Sequence, residues 1–168
     1  MLNLKICDFK EGQSHFAKTI MPNEIDLHDD GKFCKPIIID FTINKVDNDL
    51  YLKTIISTTA EMECDRCLEP FEYELKESLR IVITSNAELA QDNEDDVYYS
   101  RQPGGEIDIS ESIRQSILVS LPVKKICHPK CKGLCSKCGE NLNKVTCNCE
   151  TETIDPRWEA LKKLSNQK

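Results

Sequence analysis

Five cysteines stand in the nineteen residues from Cys131 to Cys149, "CKGLCSKCGENLNKVTCNC", and a sixth, Cys127, lies four positions upstream. Another pair, Cys64 and Cys67, sits much earlier in "CDRC". Thiols at this spacing suit a four-coordinate metal. Zinc takes about four soft ligands at roughly 2.3 Å in a tetrahedron, and one tight turn delivers two of them. "CSKCG" repeats the arrangement at Cys135 and Cys138, with Gly139 relieving the backbone just after the second ligand. Cys147 and Cys149 form a tighter "CNC" pair. Cys127 and Cys131 are four apart, with His128 beside them as a substitute ligand.

Eight clustered cysteines divide into two sites. Cys135, Cys138, Cys147 and Cys149 are close enough in sequence to close a ribbon-like knuckle alone. By elimination, Cys64 and Cys67 are left to join Cys127 and Cys131, which would fasten the tail to the body of the protein. Cys7 and Cys34 have no partners at ligand spacing and read as buried structural thiols. Zinc in both sites is the expectation. An iron–sulfur cluster uses the same four thiolates, and a quartet left reduced and metal-free keeps the same spacing.

A thiol redox or zinc-sensing switch at Cys64 and Cys67 is the alternative from another class. Such a pair usually sits at a helix N-terminus, which lowers the thiol pKa. Here it falls between strands, and Glu63, Asp65 and Glu69 are expected to raise it. Catalysis finds no residues at all. The sequence has no glycine-rich phosphate loop, no GxSxG and no HExxH, and His15, His28 and His128 are scattered among unrelated segments. A zinc ion closed by four cysteines keeps no open position for water, so the sites predict structure and not an enzyme.

The elements that must position these thiols follow from periodicity. "IIIDFTINKV", Ile37 to Val46, alternates apolar and polar residues as a half-buried strand does. Asp47 to Asp49 signals a turn, and Leu50, Leu52, Thr54 and Ile56 resume the alternation. After Cys67, "FEYELKESLRIVIT" reads as a strand to about Thr84, which puts "CDRC" at a hairpin tip. Leu2, Leu4 and Ile6 suggest one more strand. The acidic stretch from Asn86 to about Glu106 reads as a loop.

A helix is expected in "DISESIRQSILVSLP", capped by Ser110, with Glu111 in its first turn, Ile113, Ile117 and Leu121 on one face, and Pro122 ending it. A second is expected in "DPRWEALKKL", with Asp155 as cap, Pro156 at the first position and Trp158, Leu161 and Leu164 inward. The fold class is therefore α+β: an antiparallel meander or partly open barrel, one or two helices, and a C-terminal cysteine-rich zinc knuckle. Residues 1–121 form the sheet body with its acidic loop and helix. Residues 122–168 form the cysteine-rich segment and last helix, integrated with that body as one domain.

Charge is unevenly placed. From Pro122 to Cys149 there are six lysines (Lys124, Lys125, Lys130, Lys132, Lys137, Lys144) and a single acid, Glu140, a local sum of +5. With −7 for the whole chain, the remainder carries −12. The basic end could meet phosphates, with Arg66 joining it if the second site brings the hairpin tip close. It has no aromatic residue for base stacking, and four thiolates around one zinc would offset part of its charge. An acidic body could equally shield a basic protein. No run approaches the roughly 18 apolar residues of a membrane span, and the N-terminus lacks a signal-peptide pattern. A reducing, cytoplasmic setting is expected, where cysteines are not disulfides.

The phrases "ECDRCLEPFEYEL", "GGEIDISESIRQSILVSLPVKKIC", "CKGLCSKCGENLN" with "CNC", and "DPRWEALKKL" follow one another from Glu63 to Leu164. In this order they resemble the YceD family of large ribosomal RNA subunit accumulation proteins. Trp158 departs from the aliphatic residue expected after "DPR". The resemblance implies a non-enzymatic factor for accumulation or processing of large-subunit (23S) ribosomal RNA and for ribosome assembly, with the cysteines as its metal-binding feature. Its implied partners are ribosomal RNA precursor or a large-subunit ribosomal protein, with no membrane and no small-molecule substrate.

Overall fold

The structure is a computed structural model that describes residues 2–27, 32–86, 96–100 and 105–149. Five strands form the main sheet: β2 (Gly12–Ile20), β3 (Ile37–Val46), β4 (Asp49–Glu63), β5 (Pro70–Thr84) and β6 (Asp96–Tyr99). Their spatial order equals their chain order. β2 to β5 are joined antiparallel in a meander, and β6 adds to the outer edge of β5 in parallel. The sheet is open, ending at β2 and β6, and is not a closed barrel. A short strand, β1 (Asn3–Lys5), pairs with β7 (Glu106–Asp108) in a separate two-stranded sheet. The described helix is α1 (Ser110–Val119); the expected "DPRWEALKKL" helix lies outside the described residues.

Strand periodicity decides which face is covered. Ile37, Ile39, Phe41 and Ile43 on β3 and Leu50, Leu52, Thr54 and Ile56 on β4 point to the same side and are buried. Ile113 and Ile117 of α1, both fully buried, pack on that side, and the Tyr98 hydroxyl meets Ser112 Oγ at 2.7 Å. Asp47 makes the β3–β4 turn with φ of 54°, a left-handed conformation that a short Asx side chain tolerates. The alternation continues to the end of the long β4–β5 hairpin. The sheet's core face is therefore carried outward to the cysteines at its tip.

Three expectations are corrected. The acidic stretch is not all loop: "DVYY" is β6 and "EID" is β7, because Val97, Tyr98 and Tyr99 suit a strand and the edge of β5 is available to them. Ser110 is the first residue of α1 and not its cap. Asp108 accepts the Ser110 N–H at 2.9 Å in its place, while the Ser110 hydroxyl accepts the Leu2 N–H at 2.8 Å. Cys7 and Cys34 are exposed and not buried, since neither lies on an inward-facing strand position. Strand β2 was also not foreseen. It lies on the sheet edge, and its inward Ser14 and Phe16 are only half-buried, too weak a period to read.

Candidate metal centres

The tip of the β4–β5 hairpin and the segment 135–140 fold into the same turn. In the first, the Leu68 N–H donates to the Cys64 carbonyl (2.9 Å) and the Cys64 N–H to the Glu69 carbonyl (3.0 Å). In the second, the Gly139 N–H donates to the Cys135 carbonyl (2.9 Å) and the Cys135 N–H to the Glu140 carbonyl (2.9 Å). Such a turn aims N–H groups at the first sulfur: the Lys137 N–H lies 3.5 Å from Cys135 Sγ. The residue after each second cysteine must then be left-handed. Gly139 adopts φ of 74° freely, whereas Leu68 adopts 57° against its own Cβ.

Each turn contributes two sulfurs to a quartet. Cys64, Cys67, Cys127 and Cys131 form one, Cys135, Cys138, Cys147 and Cys149 the other, with sulfurs all within 4.8 Å of one another. Cys64 and Cys131 sulfurs are 3.9 Å apart, and those of Cys67 and Cys127 3.8 Å. Four sulfurs at about 2.3 Å from a common centre would be separated by roughly 3.8 Å, so both quartets fit a tetrahedral ion. Disulfide bonding needs about 2.05 Å. His128 contributes its carbonyl, which accepts the Cys131 N–H at 3.0 Å, and is not part of the quartet.

Electrostatics point the same way. Burial pushes the Cys64 thiol up, but N–H bonds from Cys127, Arg66 and Cys67 outweigh it and bring the pKa down to about 6. The rise expected for the pair is thus overturned at Cys64 but not at Cys67, where the Glu69 N–H pulls down and burial with the Cys64 and Cys131 thiols outweighs it and pushes the thiol up. The Asp65 carboxylate is taken up by the Lys125 N–H (2.7 Å), and Glu69 by Lys144 and Asn141. N–H groups of Cys138 and Lys137 likewise lower Cys135 to about 6. Burial, then the neighbouring thiols, pushes Cys127 up to about 12; the Cys138 thiol, then burial, does so for Cys149. Like charges this close cannot all ionise alone. A bound cation is what lets four thiolates coexist.

The quartets differ in surroundings. Cys64, Cys67 and Cys131 are buried and Cys127 is half-buried, in a small apolar cluster with Phe71, Ile126 and Leu134. Cys138 is exposed and its three partners half-buried. Chain segments far apart in sequence close the first site. Asp65 N–H donates to the Lys125 carbonyl (2.8 Å), Arg66 Nη1 to the Cys131 carbonyl (2.9 Å), and the Leu134 N–H to the Arg66 carbonyl (2.9 Å). Asn143 Nδ2 donates to Cys131 Sγ at 3.3 Å, and Lys144 Nζ meets Glu69 at 2.6 Å. Asp65, expected to raise the thiol pKa of the pair, instead binds the Lys125 backbone, and the sequence pattern assigned Asn141 and Asn143 no role. The only signal was two side-chain amides at alternate positions beside the cysteines.

Of the candidate phosphate contacts, Arg66 and Lys144 are thus engaged in joining the two turns. Lys124, Lys130, Lys132 and Lys137 are exposed, and Lys125 is half-buried.

Fold and sites define a class: an open β-sheet whose longest hairpin is joined to the following cysteine-rich segment through one cysteine quartet, with a second quartet inside that segment. The sequence profile of the family described as "Large ribosomal RNA subunit accumulation protein YceD" matches residues 52–165, and the chain belongs to that family. The chain is 25% identical to the chloroplastic large ribosomal RNA subunit accumulation protein YCED homolog 1 of Zea mays, over 71% of this chain and 50% of that protein. The Arabidopsis thaliana homolog is 44% identical over 37% of this chain and 19% of its own length. An uncharacterised protein of Mycobacterium tuberculosis is 25% identical over 73% of this chain and 59% of its own. The chain thus spans less than two thirds of these relatives. No solved structure matches it, and no described helix is long and apolar enough to cross a membrane.

Proposed function

We propose that the protein is a non-enzymatic factor for accumulation and processing of large-subunit (23S) ribosomal RNA and for assembly of that subunit. It acts in the cytoplasm on ribosomal RNA precursor or a large-subunit ribosomal protein. The observation that carries this reading is the family match over residues 52–165, which includes both cysteine quartets. Zinc in both quartets is supported by the sulfur spacing and the all-thiolate donor set, which would leave the ion no open position. Its part is to hold the hairpin tip and the tail as one rigid surface. Residues 1–121 and 122–168 work as a single domain, a reading supported by the bonds from Asp65 and Arg66 to Lys125, Cys131 and Leu134. Exposed Lys124, Lys130, Lys132 and Lys137 are the phosphate contacts on this surface, with Lys125, Arg66 and Lys144 at its edge.

Two measurements test the reading. Elemental analysis of protein purified without added metal should return two zinc ions per chain; iron, or no metal, overturns the zinc assignment. Deleting the gene should lower the ratio of 23S to 16S ribosomal RNA, and the intact chain should restore it. An unchanged ratio overturns the functional reading.

A further inference from the structure

The sheet has a second face, turned away from α1, that no described element covers. Cross-strand register sets two rows on it. Asn44, Tyr51 and Val82 lie side by side on β3, β4 and β5, and Thr42, Lys53 and Arg80 form the next row. Together they line a hollow of about 270 Å³. Tyr51 is 40% exposed, an aromatic ring on a mixed face that also carries Ile38, Val46 and Val82. Lys53 and Arg80 are directly opposed, and neither has an ion pair among the described residues. Like charges facing each other across two strands cost stability, and Asp40, in the next row of the same face, forms no ion pair with either among the described residues.

Two unneutralised cations beside an exposed ring match the needs of a single-stranded nucleic acid: phosphate on the cations, a base stacked on the aromatic face. Asn44 offers an amide for a base edge; Thr42 Oγ1 already meets His15 Nδ1 at 3.1 Å. Charge sets where a strand could lie. Toward the hairpin tip the same face turns acidic, with Glu61 directly opposite Glu72 and Glu63 and Glu74 close by; among the described residues Glu72 alone of these has an ion pair, with Lys35. We propose that this sheet face, centred on Tyr51, Lys53 and Arg80, binds single-stranded RNA. The proposal rests on the ribosomal RNA reading above and places base contact on the sheet, since the knuckle has no aromatic residue.

The test is fluorescence anisotropy on the full chain with its metal as purified, using a labelled twelve-nucleotide single-stranded oligoribonucleotide and the same sequence as a duplex. The single strand should bind in preference, and binding should weaken as salt rises. Tyr51→Ala should weaken it roughly 5- to 150-fold, the range for one lost stacking contact, while Tyr51→Phe, which keeps the ring, should stay within about twofold of wild type. Lys53→Ala with Arg80→Ala should flatten the log–log salt slope by about 1.4, for two lost phosphate contacts. The same double substitution should raise thermal stability, which separates lost binding from lost fold.

Lys130→Ala, Lys132→Ala and Lys137→Ala together form the control. RNA binding that survives the sheet variants but collapses in this control would overturn the sheet proposal and leave the ribosomal RNA reading standing. Preference for the duplex would also overturn it. Capture of a large-subunit ribosomal protein with no RNA bound in either form would overturn the RNA contact at both places.

Discussion

Leu68 and Gly139 occupy the same position in two identically bonded turns, each following the second cysteine of a CxxC, with φ of 57° and 74°. Only the glycine adopts this conformation without a steric cost. Leu68 is 55% exposed, so its side chain gains little from packing in return. Exchanging the two residues should therefore act asymmetrically. Gly139→Leu should cost about 1 kcal/mol in the second turn and speed loss of one metal per chain to a chelator. Leu68→Gly should leave metal retention at the first quartet unchanged or slower, because relief at φ 57° offsets the added freedom of the unfolded chain. Faster metal loss from Leu68→Gly would show that the leucine side chain, and not the backbone, matters there.

Burial separates the two quartets. Cys64→Ser places a poor ligand in the buried one and should cost more than about 3 kcal/mol, lowering the melting temperature by roughly 10 °C. Cys138→Ser, at an exposed sulfur, should lower metal content from two to one while the sheet keeps its melting transition. Hydrogen exchange should then rise only across residues 135–149. Equal destabilisation by both variants would mean that the second quartet supports the sheet as much as the first.

How much of this could be read from residues alone depends on range. The β3 and β4 alternation, the hairpin tip and the CxxC turns are local, and each is written in three to ten consecutive residues. What brings Cys127 and Cys131 to the hairpin is not local. It depends on Asp65 exchanging bonds with Lys125 and on Arg66 reaching Cys131 and Leu134, contacts across about sixty residues that no period or spacing encodes. The strands β1, β6 and β7 were weak for a related reason. Each is three or four residues long and gains its pairing from an edge offered elsewhere in the chain. The Lys53–Arg80 pair is visible only once register is known.

Thr54 is fully buried in the core face of β4, and its hydroxyl has no hydrogen-bond partner among the described residues. A buried hydroxyl without a partner costs about 1–3 kcal/mol. Thr54→Val keeps the shape and removes the polar atom. It should stabilise the protein by about 1 kcal/mol, or roughly 2–4 °C in melting temperature. A drop would indicate that a water molecule reaches the hydroxyl in solution.

Asp108 accepts hydrogen bonds from the Ser110 hydroxyl and N–H at the start of α1, and these hold its carboxyl below the usual carboxylate value. A lowered folded-state pKa contributes stability above the unfolded value, near 3.9, and loses it as pH falls through the lower folded value. Asp108→Asn should thus destabilise at neutral pH by about 0.5 kcal/mol, a figure already reduced for solvent exposure. The gap from wild type should begin to narrow in acid below about pH 4 and close only below the lowered folded value. Denaturant titrations at pH 7 and pH 3 check this, and a gap of constant size would remove the charge from the account.

Gly133 is where the cysteine-rich segment packs its backbone against Arg66 of the hairpin tip. Its φ is 77°, and a Cβ placed there would lie 3.0 Å from the Arg66 carbonyl oxygen. That carbonyl accepts the Leu134 N–H, and Leu134 in turn bridges to Asn141. A side chain at 133 needs the Arg66 carbonyl, which is backbone, to give by a few tenths of an ångström. That shift loosens the Leu134 bond and pulls on Cys131, two residues earlier. Gly133→Ala should therefore cost about 2–3 kcal/mol, combining left-handed strain with the loosened contact. The metal released first should be that of the buried quartet, although the substitution touches none of its ligands. Chelator kinetics on Gly133→Ala beside Cys64→Ser and Cys138→Ser would show which metal leaves. Release from the second quartet alone would mean that the two turns are not joined through Arg66.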